Sequence, residues 1–139
     1  MTQRTFEETL TKLRTWVREV AIPAEAEVAA RDEMPEALVQ EMRERGYFGW
    51  SIPVEYGGAG YTTEQLARLN MEIAQASTAF RARAGTNTGI GSEGLVQDGT
   101  EAQKRHYLPL LASGEFTSCL ALTEPEAGSE ATNIMTTAR

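Results

Sequence analysis

Residues Thr100–Leu122 read TEAQKRHYLPLLASGEFTSCLAL, and two different textures meet inside them. Thr100-Glu101-Ala102-Gln103 has the form of a capping box: a hydroxyl at the helix cap accepts from the N–H three residues on, and Gln103 reaches back to the cap's own N–H. The helix it opens carries Tyr107, Leu108, Leu110 and Leu111 and stops at Gly114, with Pro109 marking a bend or restart. After that the pattern changes. Phe116–Leu122 is short, apolar and partly β-branched, and it reads as a strand. The passage predicts the end of a helical domain and the start of something else.

Upstream the chain is helical in texture. Phe6, Leu10, Leu13, Trp16, Val17 and Val20 recur at helical spacing and give one apolar face. Pro23 should end or break that helix, because proline removes a ladder donor and its ring meets the carbonyl four residues back. A short Ala/Glu-rich piece follows, Ala24 to Ala30. A further helix then starts at Pro35, buries Leu38, Val39 and Met42, and stops at Gly46. Tyr47–Pro53 (YFGWSIP) predicts an extended segment packed on the helices, since Pro53 biases Ile52 away from helical angles. Gly57-Gly58-Ala59-Gly60 has neither the Lys-Ser/Thr pair of a phosphate loop nor a G-x-G-x-x-G after a strand, so it reads as a flexible turn.

A second capping box, Thr62 to Gln65, opens a helix with Leu66, Leu69, Ile73 and Ala74 inward. Ala79–Val96 is crowded with small residues. Propensity alone makes it a loop, since each helical glycine costs about 1 kcal/mol relative to alanine. A helix of small residues is nevertheless what close packing, or a ligand against its backbone, requires. No internal repeat and no low-complexity linker interrupts the 139 residues.

Composition narrows the function. The formal charge is −7, from 20 acidic and 13 basic side chains, and the basic ones are scattered. A nucleic-acid backbone needs concentrated positive charge, so that partner class is set aside. No apolar run approaches the roughly 20 residues of a membrane span. The acidic start, MTQRTFEETL, resembles neither a signal peptide nor an Arg-rich transit sequence, which makes the cytoplasm the expected compartment. His106 sits between Arg105 and Tyr107 without the partners that a metal site or a His-based triad needs, and reads as a helix-surface residue. Cys119, the single cysteine, has apolar neighbours that predict a buried, inert thiol.

The stretch after the predicted strand, Leu120–Ser129 (LALTEPEAGS), is a turn that can offer backbone amides and hydroxyls. Such a concave set of donors can hold a ring edge or a phosphate without formal charge. Pro125 stiffens it, Gly128 permits close approach, and Thr123 and Ser129 supply hydroxyls. On these features a binding turn and a surface turn capped by its own Ser and Thr stand level.

The span from Gly99 onward strongly resembles the flavin-dependent acyl-CoA dehydrogenase family where its N-terminal helical domain joins its middle β-domain. Ala21-Ile22-Pro23-Ala24, Arg45-Gly46 and Trp50–Gly60 (WSIPVEYGGAG) resemble the same family's first domain in the same order. The resemblance covers essentially the whole chain. It implies a mainly α fold, an N-terminal bundle of about five or six helices over residues 1–115, with a short β segment at residues 116–139 beginning a truncated middle domain. Ala79–Val96 would be the buried helix that helps floor the acyl-chain pocket.

By the same resemblance Leu120, Leu122, Thr123, Gly128 and Ser129 contact FAD, with the Thr123 hydroxyl beside flavin N5 and Ser129 also touching acyl-CoA. Glu126 and Glu130 depart from the family's usual glycine and aspartate. The implied reaction is α,β-dehydrogenation of an acyl-CoA thioester, with an electron-transfer flavoprotein as acceptor and a homo-oligomeric full-length enzyme. The family's catalytic glutamate lies in a C-terminal helical domain, so no catalytic residue is assigned here and the chain is expected to be inactive alone. Arg81 matches the place where one branch of the family holds a second substrate carboxylate, the alternative being a solvated helix-end arginine. Two other classes stay open: an acyl-CoA oxidase or flavin monooxygenase relative, and a non-catalytic helical interaction module.

Overall fold

The computed structural model describes residues 3–137, with backbone alone for residues 3–5. Met1, Thr2, Ala138 and Arg139, the outermost residues of the two expected domains, lie outside the described residues. Seven helices follow one another: α1 (Gln3–Trp16), α2 (Ile22–Arg31), α3 (Glu36–Glu44), α4 (Thr63–Ile73), α5 (Thr78–Gly85), α6 (Glu93–Asp98) and α7 (Glu101–Ser113). Widened π turns cover Val17–Ala21 and Thr86–Ile90.

The apolar face of the N-terminal helix is buried as its spacing predicts: Phe6, Leu10, Leu13, Trp16 and Val17 are all in the core. At Pro23 the regular helix is broken rather than ended. The π turn shifts the ladder by one residue just before it, with the Ile22 N–H reaching back to the Val17 carbonyl. The proline ring therefore enters at the first turn of α2, where its missing donor costs nothing. The left-handed residue Asp32 (φ 51°) closes α2.

Both capping boxes form, with the Thr62 and Thr100 hydroxyls accepting from the Gln65 and Gln103 amides and each glutamine reaching back. In α4 Leu69 and Ile73 are buried and Leu66 is half-buried, whereas Ala74, expected inward, is exposed. Helix α7 runs unbroken through Pro109, whose exposed position lets water take the carbonyl that loses its partner.

The main core joins α1, α3, α4 and α5 around aromatic rings. Trp16 meets Tyr47 and Phe80 edge to face at 5.2 and 5.9 Å, and Trp16 Nε1 donates to Glu41 at 2.8 Å. Across α1 and α4, Arg68 makes two bonds to Glu7 at 2.8 and 3.0 Å, and Arg14 pairs with Glu72, holding that carboxyl below its ordinary range. A smaller cluster of Ile52, Tyr56, Leu108, Leu111 and Ala112 sits beneath α6 and α7.

The aromatic segment from Tyr47 joins the two clusters. Tyr47, Phe48, Trp50 and Ile52 are buried, and the chain turns back so that Ala59 and Tyr61 donate to the Gly49 and Trp50 carbonyls at 2.8 and 2.9 Å. The glycine run is not a flexible turn. A Cβ on Gly58 would stand 2.0 Å from the Ile52 carbonyl oxygen, so the backbone itself is in contact there. Gly58→Ala is predicted to lower stability by about 3 kcal/mol, the upper range for forced overpacking. Urea unfolding checks this, and a loss below about 0.5 kcal/mol, an ordinary surface effect, contradicts it.

Candidate functional site

The site begins in the small-residue segment. Phe80 and Ala84 bury one face of α5, and Gly85, Gly89 and Gly91 surround the next turn, where regular helix is weakly favoured. That turn widens: Gly91 N–H reaches the Thr86 carbonyl, five residues back, at 2.9 Å. The expected single helix over Ala79–Val96 is thus α5, a π turn and α6 in succession.

The widening turns Asn87 fully inward, at 0% exposure. Its Nδ2 donates to the Leu111 carbonyl at the end of α7 (2.9 Å) and to the Phe116 carbonyl (2.8 Å). Its Oδ1 accepts from the Ser118 N–H at 3.0 Å. Both donors and the oxygen of the carboxamide are thus engaged. The Ser118 hydroxyl, with its one proton, donates to the Thr86 carbonyl at 2.8 Å and lies 3.2 Å from Asn87 Oδ1. The fit is close: a Cβ on Gly91 would be 1.6 Å from Ser118 Oγ.

Next to this clasp, Arg83 donates to the Thr117 hydroxyl at 2.7 Å and lies over the Phe48 ring, 5.2 Å from its centre. Burial lowers its pKa, and the nearby Arg43 adds to the effect. On the other side of the π turn a groove of about 370 Å³ is lined by Asn70, Arg81, Gly85, Thr86, Thr88 and Ile90. Arg81 is exposed and makes no ion pair among the described residues. The groove and the clasp share Thr86.

Beyond Ser118 the chain is extended but unpaired, which corrects the strand predicted for Phe116–Leu122. A strand exists only as one side of a ladder, and among the described residues no strand lies beside this stretch, whose one backbone–backbone bond is from the Phe116 N–H to the Leu110 carbonyl at 3.0 Å. Cys119, expected to be buried, is exposed for the same reason. Leu120 and Leu122 are exposed at 60% and 38%.

The turn itself is ordered by its own backbone. Glu124 and Ala127 exchange hydrogen bonds at 2.9 and 3.2 Å, and Ala127 is buried beneath them. The Glu124 carboxylate accepts from the Met135 and Thr136 amides at 2.8 and 2.9 Å and from the Thr136 hydroxyl. Thr123, Gly128 and Ser129 are exposed, and their amides and hydroxyls make no hydrogen bond with other described residues. A Cβ on Gly128 would only just touch Thr123 Cγ2, at 3.9 Å.

The sequence-predicted residues Leu120, Leu122, Thr123, Gly128 and Ser129 are thus all exposed, and of these Gly128 lies next to Thr123. Leu120 and Leu122 offer apolar surface, and Thr123, Gly128 and Ser129 offer free donors, a combination that fits the face and polar edge of a planar heteroaromatic ring. Arg81 stands apart, in the groove beyond Thr86. Sequence reading missed Asn87, Ser118 and Arg83. The available signal was an asparagine within a glycine-rich helical stretch, a residue that does poorly there unless its side chain has partners.

The sequence profile of the acyl-CoA dehydrogenase N-terminal domain matches residues 3–115. An acyl-CoA dehydrogenase of Bacillus subtilis is 35% identical over 126 residues, which cover 91% of this chain and 33% of that protein. A 3-(aryl)acrylate reductase of Clostridium sporogenes is 40% identical over 118 residues, covering 84% of this chain and 31% of that protein. The crystal structure of an acyl-CoA dehydrogenase complexed with FAD from Bacillus anthracis superposes with a TM-score of 0.82 at 31% identity, over 96% of this chain and 23% of that one. The chain thus spans about a third or less of the length of these relatives.

The Glu124 turn has a pH signature. Hydrogen bonds from the Thr136 hydroxyl and the Met135 amide lower its pKa from the ordinary 4.5. A carboxyl with a depressed folded-state pKa stabilises the fold at higher pH and loses that contribution as pH falls through the folded value. Amide exchange at Met135 and Thr136 is therefore predicted to accelerate below about pH 4.5, and Glu124→Gln to reproduce the faster exchange at neutral pH. Rates that are independent of pH in this window, after correction for intrinsic chemistry, contradict this.

Proposed function

The chain belongs to the acyl-CoA dehydrogenase family, and we propose that Leu120–Ser129 forms one wall of a flavin and acyl-CoA site in a longer protein that oxidises acyl-CoA thioesters. The observation that carries this reading is the exposure of Leu120 and Leu122 together with amides and hydroxyls at Thr123, Gly128 and Ser129 that make no hydrogen bond with other described residues. FAD, when bound, supplies the acceptor for the hydrogen that leaves the acyl β-carbon. The residues of this chain bind and orient: Leu120 and Leu122 cover ring surface, and Thr123 donates toward the reactive edge. Ser129 sits between cofactor and thioester, and donors of this kind stabilise charge as it develops.

The proton at the α-carbon needs a base, and none is assigned within this chain. Glu124 is occupied by Met135 and Thr136, and the chain by itself is expected to be inactive. Residues 1–115 act as the helical domain and residues 116–139 as the start of a second. Electrons pass to a carrier flavoprotein, and the longer protein is a homo-oligomer. Arg81, unpaired at the groove, is proposed to hold a second carboxylate on the acyl group. The reductase of Clostridium sporogenes, similar over 84% of this chain, favours a second reading in which the same CH–CH chemistry runs in reverse.

Anaerobic mixing of the longer flavoprotein with acyl-CoA substrates tests the main reading. Bleaching of the flavin band is expected, and Thr123→Val should slow it by about tenfold to a hundredfold, the usual worth of one preorganised donor to developing charge being 10²–10³ at most. A protein that holds no flavin, or that no acyl-CoA bleaches, contradicts the reading. Arg81→Ala should weaken binding of a dicarboxylyl-CoA while leaving a straight-chain acyl-CoA unaffected; equal binding of both dismisses the Arg81 role.

A further inference from the structure

We propose that Asn87 is a positioning residue: it fixes where the chain leaves the helical domain, and so sets the place and orientation of the Thr123–Ser129 turn against the groove that holds Arg81. The observation is the fully buried carboxamide whose two donors meet the Leu111 and Phe116 carbonyls and whose oxygen accepts from the Ser118 N–H. These bonds tie the π turn, the end of α7 and the departing segment into one unit. From Ser118 to Thr123 the chain advances five residues, about 17 Å at full extension, and no backbone ladder guides it.

Anchoring is therefore the chain's means of limiting where the turn can lie. Ser118 packs into a place that only glycine at position 91 leaves open, and Arg83 adds a bond to Thr117. The groove lining contributes Thr86, whose carbonyl also holds Ser118, so a shift at Asn87 moves both sides of the proposed site together. The part of this inference that concerns flavin rests on the reading under Proposed function; the anchoring itself does not.

Two experiments separate these parts. In the chain as it stands, hydrogen exchange is compared among the wild type, Asn87→Leu, Ser118→Ala and Leu13→Ala, the last removing a core side chain far from the clasp. The bonded amides of Phe116 and Ser118 should exchange at least tenfold faster in Asn87→Leu and at least threefold faster in Ser118→Ala, with α1 to α4 unchanged, while Leu13→Ala loosens α1 and leaves these two amides alone. Unchanged exchange at Phe116 and Ser118 in Asn87→Leu overturns the proposal. If that variant does not fold, unchanged exchange in Ser118→Ala overturns it instead.

In the longer flavoprotein, Asn87→Leu should shift the flavin absorption band and reduce kcat at least tenfold with KM altered less than threefold. Leu13→Ala should lower Tm and leave the band and kcat within twofold. A band and kcat in Asn87→Leu that follow Leu13→Ala overturn the positioning role. A wild-type protein without flavin overturns the functional reading, and the exchange experiment still decides the anchor.

Discussion

One buried carboxamide carries the junction between the helical body of this protein and the segment that leaves it. Asn87 can be buried because both of its donors and its oxygen find backbone partners. With one partner missing, a buried polar group left unpaired would cost about 1–3 kcal/mol. The requirement propagates outward. Two donors facing two carbonyls fix the distance between the end of α7 and Phe116. The oxygen facing the Ser118 N–H holds that residue in turn. The π turn is the price of this arrangement, since an extra residue per turn rotates Asn87 inward while Thr88 remains buried beside it.

The rest of the body is arranged so that backbones can meet at that junction. Gly49 lies against Ala112, where a Cβ would stand 3.2 Å from the alanine methyl, and Gly114, with φ +75°, lies against the Phe48 ring. These contacts bring α7 down onto the aromatic segment, whose rings fill the space between the two apolar clusters. Arg43 reaches the Gly114 carbonyl at 3.1 Å and closes the same seam from α3. Gly49, Gly58, Gly91 and Gly114 thus stand where another part of the chain comes too close for a side chain.

Most helices were legible because their signals are local. Apolar spacing from Phe6 to Val17 and the two Thr–x–x–Gln caps depend on nothing beyond a turn or two of chain, and they form as expected. The failures share a non-local cause. Phe116–Leu122 has strand composition without a strand to pair with, so Leu120 and Cys119 lie open. Asn87 carried only the faint signal of a polar residue among glycines, because its partners Leu111, Phe116 and Ser118 lie 24 to 31 residues away. The turn Leu120–Ser129 was legible in wording as a family motif, whereas its internal order, set by Glu124 reaching forward to Met135 and Thr136, was not.

Physically, the helical body offers a groove lined by Arg81, which makes no ion pair among the described residues, and a departing segment held at Ser118 by the same π turn. Their common attachment at Thr86 and Asn87 is what would let a cofactor and an acyl thioester be held in one geometry. The most direct measurement is a crystal structure of the longer flavoprotein with a bound acyl-CoA analogue. The account predicts Thr123 Oγ1 within hydrogen-bond distance of flavin N5, about 3 Å, with Ser118 still clasped by Asn87. A flavin bound elsewhere, with the Thr123–Ser129 turn facing solvent, would contradict it.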